Sequence, residues 1–332
     1  MHIGDSPRVA VLLATYNGCR FVEAQIMSLQ QNVTPFTLHW LDDQSTDDTR
    51  NRVRSTALSA GLKLKEWHAP VHLGVPKAFF QLVDCVDADV YLFCDQDDIW
   101  QPGKIDATVG NLLPDLTIPA LCFLDVLVFK DDAPEEFRCL SDIITARTEV
   151  TLRESKLFLF NRVMGNTAGF TRPLRDIFLR HKEIADTHAV MHDWWLHIIA
   201  TASGTSRMIA NVPTTLYRLH GNNTAGLYFD LFCWHLALFP DRRLWRLLQA
   251  TRCWASQQAR AFCLISGTLP PGPKVDRLLA LAHLLTSLDR RQSPIALLRL
   301  IRLGITPPVR SWIPLFIGAC LCSNAKDRRV VL

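Results

Sequence analysis

Short apolar runs alternate with segments of helical spacing through the first hundred residues. Arg8–Ala14 reads RVAVLLA and is closed by Thr15-Tyr16-Asn17-Gly18, as expected of a strand buried on both faces and followed by a turn. Phe21–Gln31 carries apolar residues at 21, 22, 26 and 29, the spacing of a helix face, and Thr37–Leu41 returns to strand character before Asp42-Asp43. Ser45-Thr46-Asp47-Asp48 offers capping oxygens and acidic charge to a helix over 47–60. Leu62–Trp67 predicts a third strand, and Pro76–Val86 a helix with proline in its first turn. Asp89–Cys94 predicts a fourth strand, which stops at Asp95-Gln96-Asp97-Asp98. This alternation implies an α/β protein whose mostly parallel sheet has helices on both faces and binds ligands beyond the carboxyl ends of its strands. Thr15, Asp42-Asp43 and Asp95–Asp98 all fall at such ends, so the topology gathers them into one crevice.

Past residue 120 the pattern loosens. Ala120–Lys130 predicts another strand, helices follow around 152–160, 173–182 and 192–202, and two short strands near 205–217 close this half. From Tyr228 onward Trp, Leu, Phe, Arg and His dominate and acidic residues become sparse, which divides the chain into a domain of 1–226 and a helical, basic and apolar region of 227–332. Stretches such as RRLWRLLQATRCW and ALLRLIRLGI form amphipathic basic helices. These suit either packing on the first domain or lying on an anionic membrane surface.

A length of 332 residues, 48% hydrophobic and 20% charged, is that of a folded, enzyme-sized chain and excludes fibrous and disordered classes. The net charge of +4 gives no global field that demands nucleic acid as partner. Ten cysteines show no CxxC pairing, and most lie in apolar runs, as expected of thiols that act as small hydrophobes in a reduced compartment. The uncharged stretch Ser311–Ala325 is interrupted by proline and short of the ~20 residues a spanning helix needs. The amino-terminal apolar stretch lacks a cleavage site. The expected location is therefore cytoplasmic, with peripheral contact on the inner face of the plasma membrane as the alternative to a fully packed carboxyl-terminal lobe.

Asp95-Gln96-Asp97-Asp98 crowds carboxylates that repel unless a cation compensates them, and Mg²⁺ or Mn²⁺ with substrate phosphates suits such oxygens. The same pattern fits a Mg²⁺-dependent phosphohydrolase with Asp95 as nucleophile. Asp42 and Asp43 stand where a nucleotide-binding sheet contacts base or ribose. His192-Asp193-Trp194-Trp195 sets a carboxylate among aromatic rings, as a general base requires, or as a capping residue before core tryptophans. Tyr217-Arg218-Leu219-His220-Gly221-Asn222-Asn223 gathers a cation, an imidazole and amides able to grip a diphosphate or its metal.

Seven segments occur in order: VAVLLATYNG, LDDQSTDDT, LGVPKAF, FCDQDDIWQPGKI, GNTAGF, MHDWW and LYRLHGNN. Together, over about residues 8–226, they resemble the family 2 glycosyltransferases of GT-A fold, in particular the rhamnosyltransferase-like branch. The resemblance implies a nucleotide-diphosphate-sugar donor bound by Thr15, Asp42, Asp43 and Asp95, with Asp97 carrying the metal. It implies Asp193 as the base that activates the acceptor hydroxyl for a single inverting displacement. Arg218 and His220 would attend the diphosphate or metal, and Gly165, Asn166, Thr167 and Trp194 would shape the acceptor side. The implied acceptor is a glycan or lipid-linked saccharide of surface polysaccharide synthesis, and a non-catalytic nucleotide-sugar-binding relative is the other alternative. Gln44 stands where many relatives have Gly, Ala78 where the branch often has Asn and Cys94 where Ser is common, which leaves thymidine and uridine donors both open.

Overall fold

The computed structural model describes residues 6–130, 133–139, 157, 158, 161, 163–220 and 242–290. Two compact units emerge, Met1–Glu149 with Arg162–Leu219, and Val150–Asn161 with His220–Leu332.

The first unit is built on a sheet with nine strands among the described residues, β1 Val9–Thr15, β2 Thr37–Asp42, β3 Leu64–His68, β4 Val90–Cys94, β5 Ile99–Trp100, β6 Ala120–Lys130, β7 Ala133–Cys139, β8 Ala168–Thr171 and β9 Thr205–Leu219. The spatial order is β3-β2-β1-β4-β8-β6-β9-β5, with β7 paired to β6. The first four strands pair in parallel. Beyond them the pairing is mixed: β8 runs antiparallel to both β4 and β6, β9 is parallel to β6, and β5 is antiparallel to β9. The sequence points between β1 and β4 reverse direction across the sheet, since β2 lies on one side of β1 and β4 on the other. Ligands of such sheets collect at that switch, beyond the strand ends.

Every residue of β4 is buried, and β1 is buried apart from a half-buried Ala14, which is why both read as continuous apolar runs rather than alternating ones. One sheet face packs Val9, Val11, Leu13, Trp40, Leu92 and their neighbours against helices α1 Val22–Ser28, α2 Thr49–Ser59 and α4 Lys104–Leu112. The other face carries α3 Val75–Cys85, α5 Arg172–Arg180 and α7 His192–Ser203, with α6 Lys182–His188 beside α3. Aromatic contacts bind this layer: Phe79 meets Phe93 edge-on at 5.2 Å, and Phe80 meets Phe178 at 5.0 Å.

Three expectations change in detail. The two short strands near 205–217 are one strand, β9, whose register against β6 slips around Asp125, so an irregular middle rather than a turn divides it. The helix expected at 173–182 ends at Arg180, and a second helix, α6, follows at once. The helix expected around 152–160 falls almost wholly outside the described residues.

In the second unit α8 Arg242–Ile265 and α9 Pro273–Arg290 form a helical hairpin joined through a short turn at Ser266–Thr268. Ala259, Phe262, Leu278 and Ala282 are buried in it, and Phe158 meets Phe262 edge-on at 5.5 Å. Among the described residues no helix is long and apolar enough to cross a membrane.

Candidate active site

The carboxyl ends of β1, β2 and β4 form a connected polar floor. Asp42 is buried and accepts four hydrogen bonds: from Thr15 Oγ1 at 3.0 Å, Ser45 Oγ at 2.6 Å, Ser45 N at 2.9 Å and Arg50 Nε at 2.6 Å. A carboxylate has about four acceptor positions, so Asp42 is filled from within the chain and fastens β1, β2 and α2 together. Burial pushes its pKa up, but these donors outweigh it and hold the carboxyl below the usual carboxylate range. Asp43 is buried as well and takes Leu73 N at 2.7 Å and Gly74 N at 2.8 Å, while His72 Nδ1 lies 3.0 Å from both the Asp43 carbonyl oxygen and its Oδ2. The Asp43 carboxylate therefore keeps at least one acceptor position open. His72 in turn lies against Tyr16, ring centroids 4.2 Å apart, and both rings are about half exposed. The sequence reading missed His72, whose only signal was its place just before the LGVPKAF segment.

Gln96 joins the β1 and β4 ends. Its Oε1 accepts from Tyr16 N at 2.9 Å and its Nε2 donates to Tyr16 O at 3.1 Å. Gly18 is required by this clasp, because a Cβ there would lie 2.1 Å from Gln96 Oε1. Gln44 has φ 69°, the left-handed region where glycine is at ease, which accounts for its departure from a common Gly as a tolerated strain. Its side chain donates to Ala69 O at 2.5 Å.

Asp95, Asp97 and Asp98 follow β4. Burial first, then repulsion from Asp98, Asp97 and Asp193, pushes the Asp95 carboxyl well above its ordinary value. Asp98 is wholly buried, accepts from Asn166 Nδ2 and takes Arg218 N at 3.2 Å, and burial again raises its pKa. Arg218 Nε donates to the Asp97 carbonyl at 3.0 Å, so the end of β9 braces the acidic loop. Asp193 opens α7, is 3% exposed, and accepts from Trp194 N at 2.6 Å. The fold thus brings Asp95, Asp97, Asp98 and Asp193 into one electrostatic cluster at the sheet's carboxyl edge. Gly165 lies directly against the α7 start: a Cβ there would be 2.7 Å from His192 Nε2 and 3.6 Å from Asp193 Oδ2.

Asn166 and Thr167 are buried with their side chains turned inward, to Asp98 and to Met164 O, and so hold the Gly165–Thr167 turn. Trp194 is 2% exposed and likewise belongs to the packed base of α7. His220 follows β9 and belongs to the second unit, and Gly221–Asn223 lie outside the described residues.

These residues fit a hard divalent cation. The donors are carboxylate oxygens, and the repulsion that lifts Asp95 is what a cation would relieve. Among the described residues no three His, Cys, Asp or Glu close into a ligand set, so a cation would rest on one or two carboxylates and complete its shell with phosphate and water oxygens.

A parallel-led sheet with a switch point and a carboxylate-lined carboxyl edge defines an α/β protein of the doubly wound kind. Residues 10–120 match the family model described as Glycosyl transferase family 2. The dTDP-rhamnosyl transferase RfbG of Shigella flexneri is 26% identical over 253 residues, 72% of this chain and 82% of that protein. Among solved structures, the mannosyltransferase PcManGT from Pyrobaculum calidifontis, in complex with GDP-Man and Mn²⁺, superposes with a TM-score of 0.52 at 17% identity, covering 96% of this chain and 87% of that one. S. aureus TarS 1-349 in complex with UDP-GlcNAc gives 0.50 at 12% identity, covering 85% of this chain and 87% of that one. Over residues 10–120 the chain is thus similar to glycosyl transferase family 2, and its fold is the GT-A fold of those solved neighbours.

Proposed function

We propose that the chain is an inverting, divalent-metal-dependent glycosyltransferase that moves rhamnose or a similar deoxysugar from a nucleotide diphosphate to a glycan or lipid-linked acceptor in surface polysaccharide synthesis. The observation that carries this reading is the convergence of Asp95 and its acidic neighbours with Asp193 at the switch point of the sheet. The deoxysugar and the thymidine base are supported by the likeness to a dTDP-rhamnosyl transferase. The metal is supported by the fold's likeness to an enzyme solved with Mn²⁺.

In this reading Asp43 and the Tyr16–His72 pair receive the base and ribose, because Asp43 keeps an open acceptor while Asp42 is filled. Asp95 assists at the ribose, Asp97 holds the cation, and Arg218 and His220 attend the diphosphate. When bound, the cation supplies charge neutralisation to the departing nucleotide diphosphate. Asp193 accepts the proton of the acceptor hydroxyl as that oxygen attacks the anomeric carbon from the face opposite the leaving group. The Trp194 amide fixes one oxygen of Asp193, and the carboxylate is enclosed by the packed start of α7, which keeps competing water from it. The basic 227–332 region lies peripherally on the inner membrane leaflet, where a lipid-linked acceptor is presented.

Titration calorimetry with dTDP, UDP and GDP, with Mn²⁺ or Mg²⁺ and then with EDTA, tests the donor class. One nucleotide should bind, and only with metal. Asp97→Asn should abolish that metal-dependent binding. Asp193→Asn should keep nucleotide binding within about threefold while lowering release of dTDP from dTDP-rhamnose by about 10²–10⁴-fold. Normal turnover by both variants would overturn the site assignment. A phosphohydrolase would instead cleave simple phosphate esters, a chemistry that nothing in the Asp193 placement serves.

A further inference from the structure

Lys104 is the first residue of α4, 1% exposed, at the end of the helix where a cation is least favoured by the backbone dipoles. A buried ammonium at that position costs stability unless its hydrogen bonds and charge are met. Its contacts come from three segments of the first unit and are neutral, so burial lowers the pKa of the ammonium. Nζ donates to Asn166 O in the Gly165–Thr167 turn and to Thr215 Oγ1 in β9 at 2.6 Å, and it sits 3.8 Å from the centroid of the Trp100 ring. Asn166 then passes the connection to the acidic loop, its Nδ2 donating to Asp98, while Arg218 on β9 donates from N to the same carboxylate at 3.2 Å. Asp98, Asn166 and Thr215 are all fully buried.

We propose that Lys104 is a positioning residue for sugar transfer. It ties the Gly165–Thr167 turn and β9 to the Asp95–Asp98 loop, and so sets the carboxylates of the donor side in register with Asp193 behind Gly165. The kinetic part of this proposal rests on the glycosyltransferase reading; the tether itself does not.

Lys104→Met keeps the length and removes a nearby positive charge that favours the ionised Asp98 carboxyl, so the variant can lose stability for that reason alone. The double variant Lys104→Met/Asp98→Asn removes both charges, while Asn at 98 retains one oxygen, which can keep one of the two donors, Asn166 Nδ2 or Arg218 N, that now bond separate carboxylate oxygens. Peptide-resolved amide hydrogen exchange is the deciding readout. In every variant that folds, and in the double variant above all, exchange across 163–168 and 214–219 should quicken by about tenfold or more while β1 and α2 stay unchanged. Release of dTDP from dTDP-rhamnose should fall by about tenfold or more, with binding of dTDP and Mn²⁺ within about threefold of the parent. Parent-like exchange and turnover in the double variant would show that Lys104 only balances charge, and would overturn the proposal. If the parent bound no nucleotide with metal, the glycosyltransferase reading would fall, and the exchange result would still decide whether the tether exists.

Discussion

At the residue scale Gly165 fits closely against His192. His192 is 2% exposed, its ring stacked on Phe79 at 4.2 Å and edge-on to Phe93 at 4.5 Å, and neither ring nitrogen has a hydrogen-bond partner. Held between two phenyl rings, the imidazole cannot swing away from a Cβ placed 2.7 Å from Nε2. Gly165→Ala should therefore cost about 1–3 kcal/mol by overpacking. His192→Ala alone opens a cavity, and the pair of substitutions should cost clearly less than their sum, because the second methyl enters space the first change vacates. Urea denaturation of the four proteins measures this, and additivity within error would show that the two residues do not share the space. The sequence made Gly165 visible only as part of GNTAGF, and His192 only as a neighbour of Asp193. Nothing in either string announces a contact between positions so far apart in the chain. The acidic residues were legible for the opposite reason: carboxylates at the ends of apolar runs stand out against their surroundings before any fold is known. What the string could not tell was which carboxylate is spent internally, as Asp42 is, and which keeps an open position, as Asp43 does.

At the element scale, the β2–β3 pair couples the sheet to pH. His39 on β2 is 5% exposed and accepts from Trp67 Nε1 on β3 through Nδ1 at 3.2 Å, a bond that requires this nitrogen to be unprotonated. Burial, then the charges of Lys65 and Lys63, push the imidazole down from 6.5 to about 4. Between those values the unfolded chain binds a proton that the folded one refuses, so His39 makes stability rise with pH across the window and fall as the solution is acidified from about 6.5. His39→Gln keeps an acceptor for Trp67 and cannot be protonated. Near pH 7 the variant and parent should differ by less than about 1 kcal/mol, and near pH 4.5 the variant should be the more stable by about 1 kcal/mol or more, read from urea midpoints. Equal acid sensitivity would assign the effect elsewhere. This pairing was half legible: alternation marked β2 and β3 as strands, but the register that sets His39 beside Trp67 is a property of the sheet. The same limit applies to β9, where an irregular middle read as a break, and to α6, whose short polar string carries almost no apolar stripe.

At the scale of the whole molecule, charge is distributed unevenly along the chain. Residues 227–332 hold 15 Lys and Arg against five Asp and Glu, whereas the chain as a whole carries only +4. The remaining residues are thus net acidic. The described part of the carboxyl-terminal region buries one face of each helix in its own hairpin and leaves Arg260, Leu264, Lys274 and Arg277 exposed. A basic surface with scattered apolar side chains binds anionic headgroups through contributions of about 1 kcal/mol per Lys or Arg near the surface, screened within a Debye length of roughly 10 Å at 0.1 M salt. A protein that works on a lipid-linked saccharide gains local acceptor concentration from such contact even when no helix inserts. The full chain should therefore sediment with vesicles of mixed phosphatidylcholine and phosphatidylserine at low ionic strength, and release should begin as salt rises past about 0.1–0.3 M. Pure phosphatidylcholine vesicles should retain little of it. Retention at high salt would instead indicate apolar insertion, and failure to sediment with anionic vesicles at any salt would show that the basic residues of 227–332 are turned toward other protein surfaces, leaving the acceptor to be met in solution.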